Sequence, residues 1–256
     1  MQTDAIVLAG GRTGGLLKRR GETDYKCFLS TGKGSLLEAM VNSLKGCDLV
    51  SSIHVLAPSS LKDLIAIENI DSVHGKDLPV IEGIVSLLEH LGRESNHRKD
   101  RYLICASDLP FVSSRGIRDF LKLCPGGINL CLPVIEKKDF FRRFPGTIKF
   151  PVPLKEGSFT AGGVLLLQGQ GDIGRLKAFM QKLFDARKNL PELLGMLGRG
   201  FVWRFVTHSL SVSDIEKRIE VLSGMSCRAV RGCDPALAFD IDNILHFIQA
   251  KRCIRV

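Results

Sequence analysis

Ala5-Ile6-Val7-Leu8-Ala9-Gly10-Gly11-Arg12 is the stretch on which the fold turns. The apolar run breaks off without polar alternation into Ala-Gly-Gly. A strand covered on both faces shows such a continuous run, so this reads as a buried strand feeding straight into a glycine turn. Two glycines at its carboxyl end permit positive φ and let the backbone approach a ligand with no Cβ in the way. Open α/β sheets bind ligands beyond the carboxyl ends of their strands, so a nucleotide is sought at this turn. The glycines alone fit an ordinary strand-to-loop turn equally well, and the later strand ends have to decide.

The same pattern recurs at Arg101-Tyr102-Leu103-Ile104-Cys105-Ala106-Ser107-Asp108-Leu109-Pro110-Phe111, a buried strand ending in a small residue, an aspartate and a proline. Between the two lie a short strand and turn over Cys27–Gly34 and a helix over Ser35–Leu44, with Ser35 and Glu38 as a capping box. A strand over Ser52–Ala57, a polar helix over Leu61–Asn69 and an amphipathic helix over Leu78–Leu91 follow. Glu94–Arg101 reads as a charged surface loop. Ser113 and Ser114 cap a helix reaching Leu123, and Ile128–Val134 and Phe159–Leu167 are further apolar strands. Residues 172–200 read as one or two helices with a break near Asn189-Leu190-Pro191, Phe201–Phe205 as a short strand and Val212–Leu222 as a helix capped by Ser211 or Ser213. Arg228–Arg231 reads as an edge strand and Ile244–Ala250 as a closing helix. Strands alternating with helices at this pitch predict a layered α/β fold with a mostly parallel sheet. No repeat, low-complexity segment or linker divides residues 1–256, so one domain is expected.

The 256 residues are 45% hydrophobic and 25% charged, the composition of a globular chain. A net charge of +9 calls for an anionic partner, for which nucleic acid, an acidic membrane surface and a nucleoside triphosphate all qualify. Aromatic residues are only 7%, with one Trp, and no stacking platform or recognition motif for nucleic acid accompanies the charge. None of the eight cysteines forms a C-x-x-C pair, and several lie in apolar runs, so buried reduced thiols are expected rather than a zinc site. No run approaches the length of a membrane span and no leader pattern opens the chain, so a cytoplasmic protein without a membrane partner is expected.

Three features at strand ends could carry chemistry. The first is Gly10-Gly11 with its basic loop, Arg12, Lys18, Arg19, Arg20 and Lys26. Backbone N–H groups there would form an anion nest, and the cations would neutralise a polyphosphate. Neither G-x-x-x-x-G-K-[ST] nor G-x-G-x-x-G occurs. The second is Asp108, placed as a Mg²⁺ ligand or as a turn aspartate. The third is Asp240-Ile241-Asp242, whose carboxylates face the same way on an extended segment, with Asp242 also a candidate cap for the last helix. There is no G-x-S-x-G elbow and no ligand-like clustering of the six histidines. Carboxylates and a basic glycine loop without a covalent nucleophile match phosphoryl or nucleotidyl transfer.

Taken in order, Ala5–Arg12, Lys26, Gly32-Lys33-Gly34-Ser35-Leu36-Leu37, Ser107-Asp108-Leu109-Pro110, Phe159–Val164 and Ala238–Asn243 resemble the nucleotidyltransferases of the molybdenum-cofactor guanylyltransferase-like (MobA-like) group. The resemblance implies a Rossmann-like GT-A-type α/β/α fold and transfer of a nucleoside monophosphate from a triphosphate to a phosphorylated or hydroxyl small-molecule acceptor. It implies that Leu8, Ala9, Gly10, Gly11, Arg12, Lys26, Gly162 and Gly163 hold the nucleotide, with Lys26, Asp108 and Arg12 acting in the reaction. Asp108, Asp242 and, more weakly, Asp240 would bind Mg²⁺. It does not distinguish GTP from CTP. The loop Arg12–Gly21 is longer than in that group and lacks its Arg-Met-Gly, which leaves a non-catalytic nucleotide-binding protein of the same fold as the alternative. Residues 170–235 are long for the group and are expected to add a helical cap on the acceptor side.

Overall fold

The computed structural model describes residues 1–21, 23–32, 34–94, 101–169, 174, 177–178, 181 and 198–255. Nine strands form the sheet: β1 (Thr3–Leu8), β2 (Val50–Ala57), β3 (Ser72–Gly75), β4 (Arg101–Ala106), β5 (Leu130–Glu136), β6 (Val152–Leu154), β7 (Gly157–Ala161), β8 (Val164–Gln168) and β9 (Cys227–Val230). Their order is β3-β2-β1-β4-β8-β5-β7-β6, with β9 parallel to β5. The sheet is mixed and mostly parallel, because β7 and β8 alone run against the other strands.

The described helices are α1 (Gly15–Gly21), α2 (Leu36–Lys45), α3 (Val80–Glu94), α4 (Ser114–Leu123), α5 (Lys137–Arg143), α6 (Arg199–Val206), α7 (Val212–Ser223) and α8 (Ile244–Arg255). They cover both faces of the sheet. Ala5, Val7, Leu103 and Cys105 belong to the core shared with Leu37, Met40 and Val41 of α2 and Phe120 of α4. Ile6 and Ile104, the intervening residues, join Ile84, Leu87 and Leu88 of α3. Both sides of β1 and β4 are therefore buried, which is why their sequences are apolar throughout.

The Ser35–Glu38 capping box is formed in both directions: the Glu38 amide donates to Ser35 Oγ at 3.2 Å and the Ser35 amide to Glu38 Oε2 at 2.6 Å. At α7 the box pairs Ser211 with Asp214. Ser113 alone caps α4.

Several expectations change. Lys26–Phe28 is a turn of 3-10 helix, not a strand, and the polar helix after β2 shrinks to a 3-10 segment at Ser59–Leu64. Phe201–Phe205 lies within helix α6, not a strand. Phe159–Leu167 is two strands with a break at Gly162-Gly163. There a Cβ on Gly162 would stand 2.7 Å from Pro133 Cγ and 3.0 Å from the Leu237 carbonyl oxygen. Helices α1 and α5 and strands β3 and β6 had no clear periodic signal. Of residues 170–235, the described part includes α6, α7 and β9, and β9 joins the central sheet. The break expected near Asn189-Leu190-Pro191, and residues 95–100 of the charged loop, lie outside the described residues.

Candidate active site

The carboxyl ends of β1 and β4 are neighbours, because Leu8 pairs in register with Ala106. This sets Gly10-Gly11 beside Ser107-Asp108. Neither Gly10 nor Gly11 takes a left-handed backbone, contrary to the expectation of positive φ. What the glycines provide is bare backbone. Their amides have no acceptor among the described residues, and the nearest atom to a Cβ on Gly11 would be Lys26 Cδ at 3.8 Å.

The loop that follows leaves and returns at one place. Lys26 N–H donates to the Gly11 carbonyl at 2.8 Å, Thr13 N–H to the Asp24 carbonyl at 3.0 Å, and Thr13 Oγ1 to the Thr23 carbonyl at 2.6 Å. Leu17 of α1 is buried and anchors the excursion in the core. The tied base delivers Lys26 to the strand ends. Arg12 goes elsewhere, its guanidinium donating to Tyr25 Oη at 3.0 Å and lying 4.8 Å from that ring centroid.

The third segment arrives from the other end of the chain. Ile241, fully buried, donates its N–H to the Asp108 carbonyl at 3.1 Å. Phe239 is fixed beneath it by Phe111 and Phe144, with ring centroids 4.9 and 4.8 Å away. With Ile241 pointing in, Asp240 and Asp242 point out together, as alternation on an extended segment requires. Neither is the cap of α8. That role falls to Asn243, whose Oδ1 accepts from the Leu245 and His246 amides at 2.9 and 3.0 Å.

The result is an alternating row of charges. Lys26 Nζ lies 2.8 Å from Asp108 Oδ2 and 3.2 Å from Asp242 Oδ1. Asp240 is paired with Lys149. Burial works against the Lys26 charge, but Asp108 and Asp242 outweigh it and hold the ammonium above its usual pKa. Burial also works against the Asp240 charge, and the hydrogen bonds from Lys149 and Asp242 reverse this and hold its pKa low. Asp242 is pushed up by burial and then by its hydrogen bond and repulsion with Asp240, with Lys26 offsetting only part. Of the two neighbours, Asp242 keeps a proton more readily. Cys27, next to Lys26, is no nucleophile, since burial pushes its thiol up to about 12.

A cleft of about 380 Å³ opens beside this row, lined among others by Leu8, Gly10, Gly11, Lys26, Pro58 and Asp108. Of the residues proposed from sequence, Leu8, Gly10, Gly11, Lys26 and Asp108 meet at the cleft, and Asp242 reaches it through Lys26. Ala9 is fully buried, its amide donating to the Leu56 carbonyl at 2.9 Å. Gly162 and Gly163 pack against Leu237 and Leu109 on the protein side. Lys149 carries no local signal in the sequence, since Lys137, Lys138, Arg142 and Arg143 stand close before it and the basic stretch resembles solvated surface. No set of three or more His, Cys, Asp or Glu among the described residues is arranged to hold a metal.

A glycine-ended β1 and a strand-end aspartate meet at one cleft of a mixed α/β sheet, with Asp242 reached through Lys26, and the family that the chain matches makes it a nucleotidyltransferase. The chain belongs to the MobA-like NTP transferase domain family, whose model matches residues 5–207. In three dimensions it is similar to a hypothetical transferase from Thermus thermophilus, at 22% identity and a TM-score of 0.83 over 96% of this chain and 100% of that one. A 4-diphosphocytidyl-2C-methyl-D-erythritol synthase from Anaerococcus prevotii matches at 13% identity and a TM-score of 0.59, covering 100% and 96%. A CMP:2-keto-3-deoxy-manno-octonic acid synthetase complexed with CTP matches at 10% identity and a TM-score of 0.54, covering all of both chains. No curated protein sequence matches the chain.

Proposed function

We propose that the chain transfers a nucleoside monophosphate from a nucleoside triphosphate to a phosphorylated or hydroxyl small-molecule acceptor, releasing pyrophosphate. The observation that carries this reading is Lys26 Nζ, held between Asp108 and Asp242 where the bare Gly10-Gly11 backbone meets the cleft. The triphosphate lies along Gly10-Gly11, with its α-phosphate towards Lys26. Their unpaired amides and the ammonium supply donors and positive charge to it. An acceptor oxygen attacks the α-phosphorus from the Asp240 and Lys149 side. The new O–P bond forms as the bond to the β-phosphate oxygen breaks, and pyrophosphate leaves with that electron pair. An acceptor phosphate, already ionised at neutral pH, gives up no proton, and a hydroxyl acceptor gives its proton to water as the O–P bond forms. The similar synthetase complexed with CTP supports a triphosphate as donor.

The donor set fits Mg²⁺, which needs one or two carboxylates and leaves its other positions to phosphate and water. Asp108 and Asp242 already converge on one cation, so they would hold it, with Asp240 engaged by Lys149. Bound there, Mg²⁺ supplies charge neutralisation to the phosphates. The buried, unpaired cysteines suit a reducing compartment, and we place the activity in the cytoplasm.

Pyrophosphate release tests the reading. The protein is incubated with each common triphosphate, Mg²⁺ and a panel of phosphorylated alcohols and sugars. Release with one acceptor class, abolished in Asp108→Asn, is expected. Failure to bind any triphosphate overturns the proposal, and binding without release across the panel leaves a non-catalytic nucleotide binder.

A further inference from the structure

Lys26 gives its one charge to two acids that lie unequally. Its side chain is 17% exposed and that of Asp108 15%, so the 2.8 Å contact between them is largely shut off from water. Asp242, at 3.2 Å, is 54% exposed. A carboxylate with so little water around it depends on its partner, and removing that partner leaves a costly unpaired charge. Among the described residues Asp108 forms an ion pair with Lys26 and with no second cation. Lys149, the other ammonium of the row, is taken by Asp240.

The backbone of Lys26 is fixed while its side chain can turn. Its amide is tied to the Gly11 carbonyl at 2.8 Å, and its stem runs past Gly11, where Cδ would lie 3.8 Å from an added Cβ. A four-carbon stem rotates about bonds that this tether does not touch. Lys26, Gly10 and Gly11 line the same cleft. The ammonium can therefore exchange a carboxylate for an anion lying along Gly10-Gly11 and leave the tied base of the loop as it is.

We propose that Lys26 is an internal cation that guards Asp108 and Asp242 against a divalent metal until a triphosphate draws it off. This regulation of the site rests on those two aspartates being the metal carboxylates of the proposed function. Two cations cannot both draw in full on the same pair of carboxylates. The ammonium neutralises part of the charge that a divalent ion would bind, and it repels that ion at close range. The phosphates offer Lys26 another anion, and the carboxylates it leaves then face the cleft with their charge uncompensated. Metal and triphosphate are thereby coupled through one side chain, and each raises the affinity of the other by the same factor. A metal arriving alone meets carboxylates that are already paired.

Titration with Mn²⁺ alone, followed by the electron paramagnetic resonance of the free ion, tests this without nucleotide. It compares the wild type, Lys26→Met, Lys26→Gln and Lys26→Met combined with Asp108→Asn. Both single variants should bind Mn²⁺ at least about fivefold more tightly than wild type, the lower end of couplings between sites, and the double variant should lose that gain. Lys26→Gln keeps a neutral donor for Asp108 and decides the matter should Lys26→Met fail to fold. Equal Mn²⁺ affinity in the wild type and the single variants overturns the proposal. So does a gain that survives Asp108→Asn, which would place the ion elsewhere. In the wild type the ¹⁵N resonance of the Lys26 ammonium should stay in place with Mg²⁺ alone and shift when Mg²⁺ is added with CTP, UTP, GTP or ATP, whichever binds. A resonance that shifts equally with Mg²⁺ alone overturns the proposal too. Failure of the Mn²⁺ titrations leaves the proposed function standing, whereas failure of all four triphosphates to bind removes the proposed function and this proposal with it.

Discussion

Lys26 Nζ and Asp108 Oδ2 stand 2.8 Å apart across 82 residues of sequence, and the same ammonium reaches Asp242 at 3.2 Å. The contact works because each partner is delivered by backbone. The Gly11 carbonyl holds the Lys26 amide, and the Asp108 carbonyl holds Ile241. Lys26→Met therefore removes a charge without removing the scaffold. Triphosphate affinity, measured by calorimetry, should fall about tenfold or more, the scale of a lost charge-assisted hydrogen bond. Asp108→Asn should act differently, erasing the gain in affinity that Mg²⁺ confers while binding without Mg²⁺ persists. An undiminished Mg²⁺ effect in Asp108→Asn would remove Asp108 from the metal site.

How much of this site the sequence exposes follows from where its parts lie. Asp108 and Asp240/Asp242 are legible because buried apolar residues flank them, leaving polar side chains at strand ends with few purely structural reasons to be there. Lys149 is not legible: its partner Asp240 is 91 residues away, and local pattern carries no long-range pairing. Helix α6 reads as a strand because Phe201-Val202-Trp203-Arg204-Phe205 is aromatic-rich and short, yet Trp203 is 70% exposed, so no buried strand face exists there. Resemblance alone ties Gly162-Gly163 to the nucleotide, and a glycine required by a close neighbouring backbone leaves the same trace in sequence as one required by a ligand.

That ambiguity is open to experiment. A methyl at position 162 meets Pro133 Cγ at 2.7 Å and a backbone oxygen at 3.0 Å, neither of which yields easily. Gly162→Ala should destabilise the fold by about 1–3 kcal/mol, the cost of overpacking. Gly11→Ala has 3.8 Å of clearance and should melt within about 0.5 kcal/mol of wild type, as open positions do. Its methyl would stand in the proposed phosphate path, so triphosphate affinity should fall instead. Urea denaturation and calorimetry read the two effects separately. Equal stability of the two variants would contradict the packing role of Gly162.

Asp214 offers a pH signature. Its carboxylate accepts from the Ser211 hydroxyl and amide and pairs with Arg204, in that order holding its pKa below the usual 3.8. A depressed folded pKa means the unfolded chain takes up the proton first. The stabilisation is present above the unfolded value and is lost as pH falls through the lower folded one. The difference in melting temperature between wild type and Asp214→Asn should be constant from neutral pH to about 5 and shrink below about 4. A difference that stays constant into strong acid would show that the side chain contributes no charge-dependent cap.

His246 joins the segments that carry Lys149 and Asp240. It is 4% exposed, with Nε2 at 2.8 Å from the Ile148 carbonyl and Nδ1 at 3.1 Å from the Asp240 carbonyl. Lys149 follows Ile148, so one imidazole ties together the backbones that carry the Lys149–Asp240 ion pair. His246→Ala removes the imidazole that lies between the Ile148 and Asp240 carbonyls and leaves a cavity. A loss of about 2–4 kcal/mol in urea denaturation is expected from the lost hydrogen bonding and the void together. His246→Phe fills the void without restoring a donor, so it should recover only the packing share of that loss. Full recovery by Phe would reduce His246 to a filler, whereas partial recovery, with the ¹⁵N resonance of the Lys149 ammonium shifted in both variants, would establish it as the brace that positions Lys149 against Asp240.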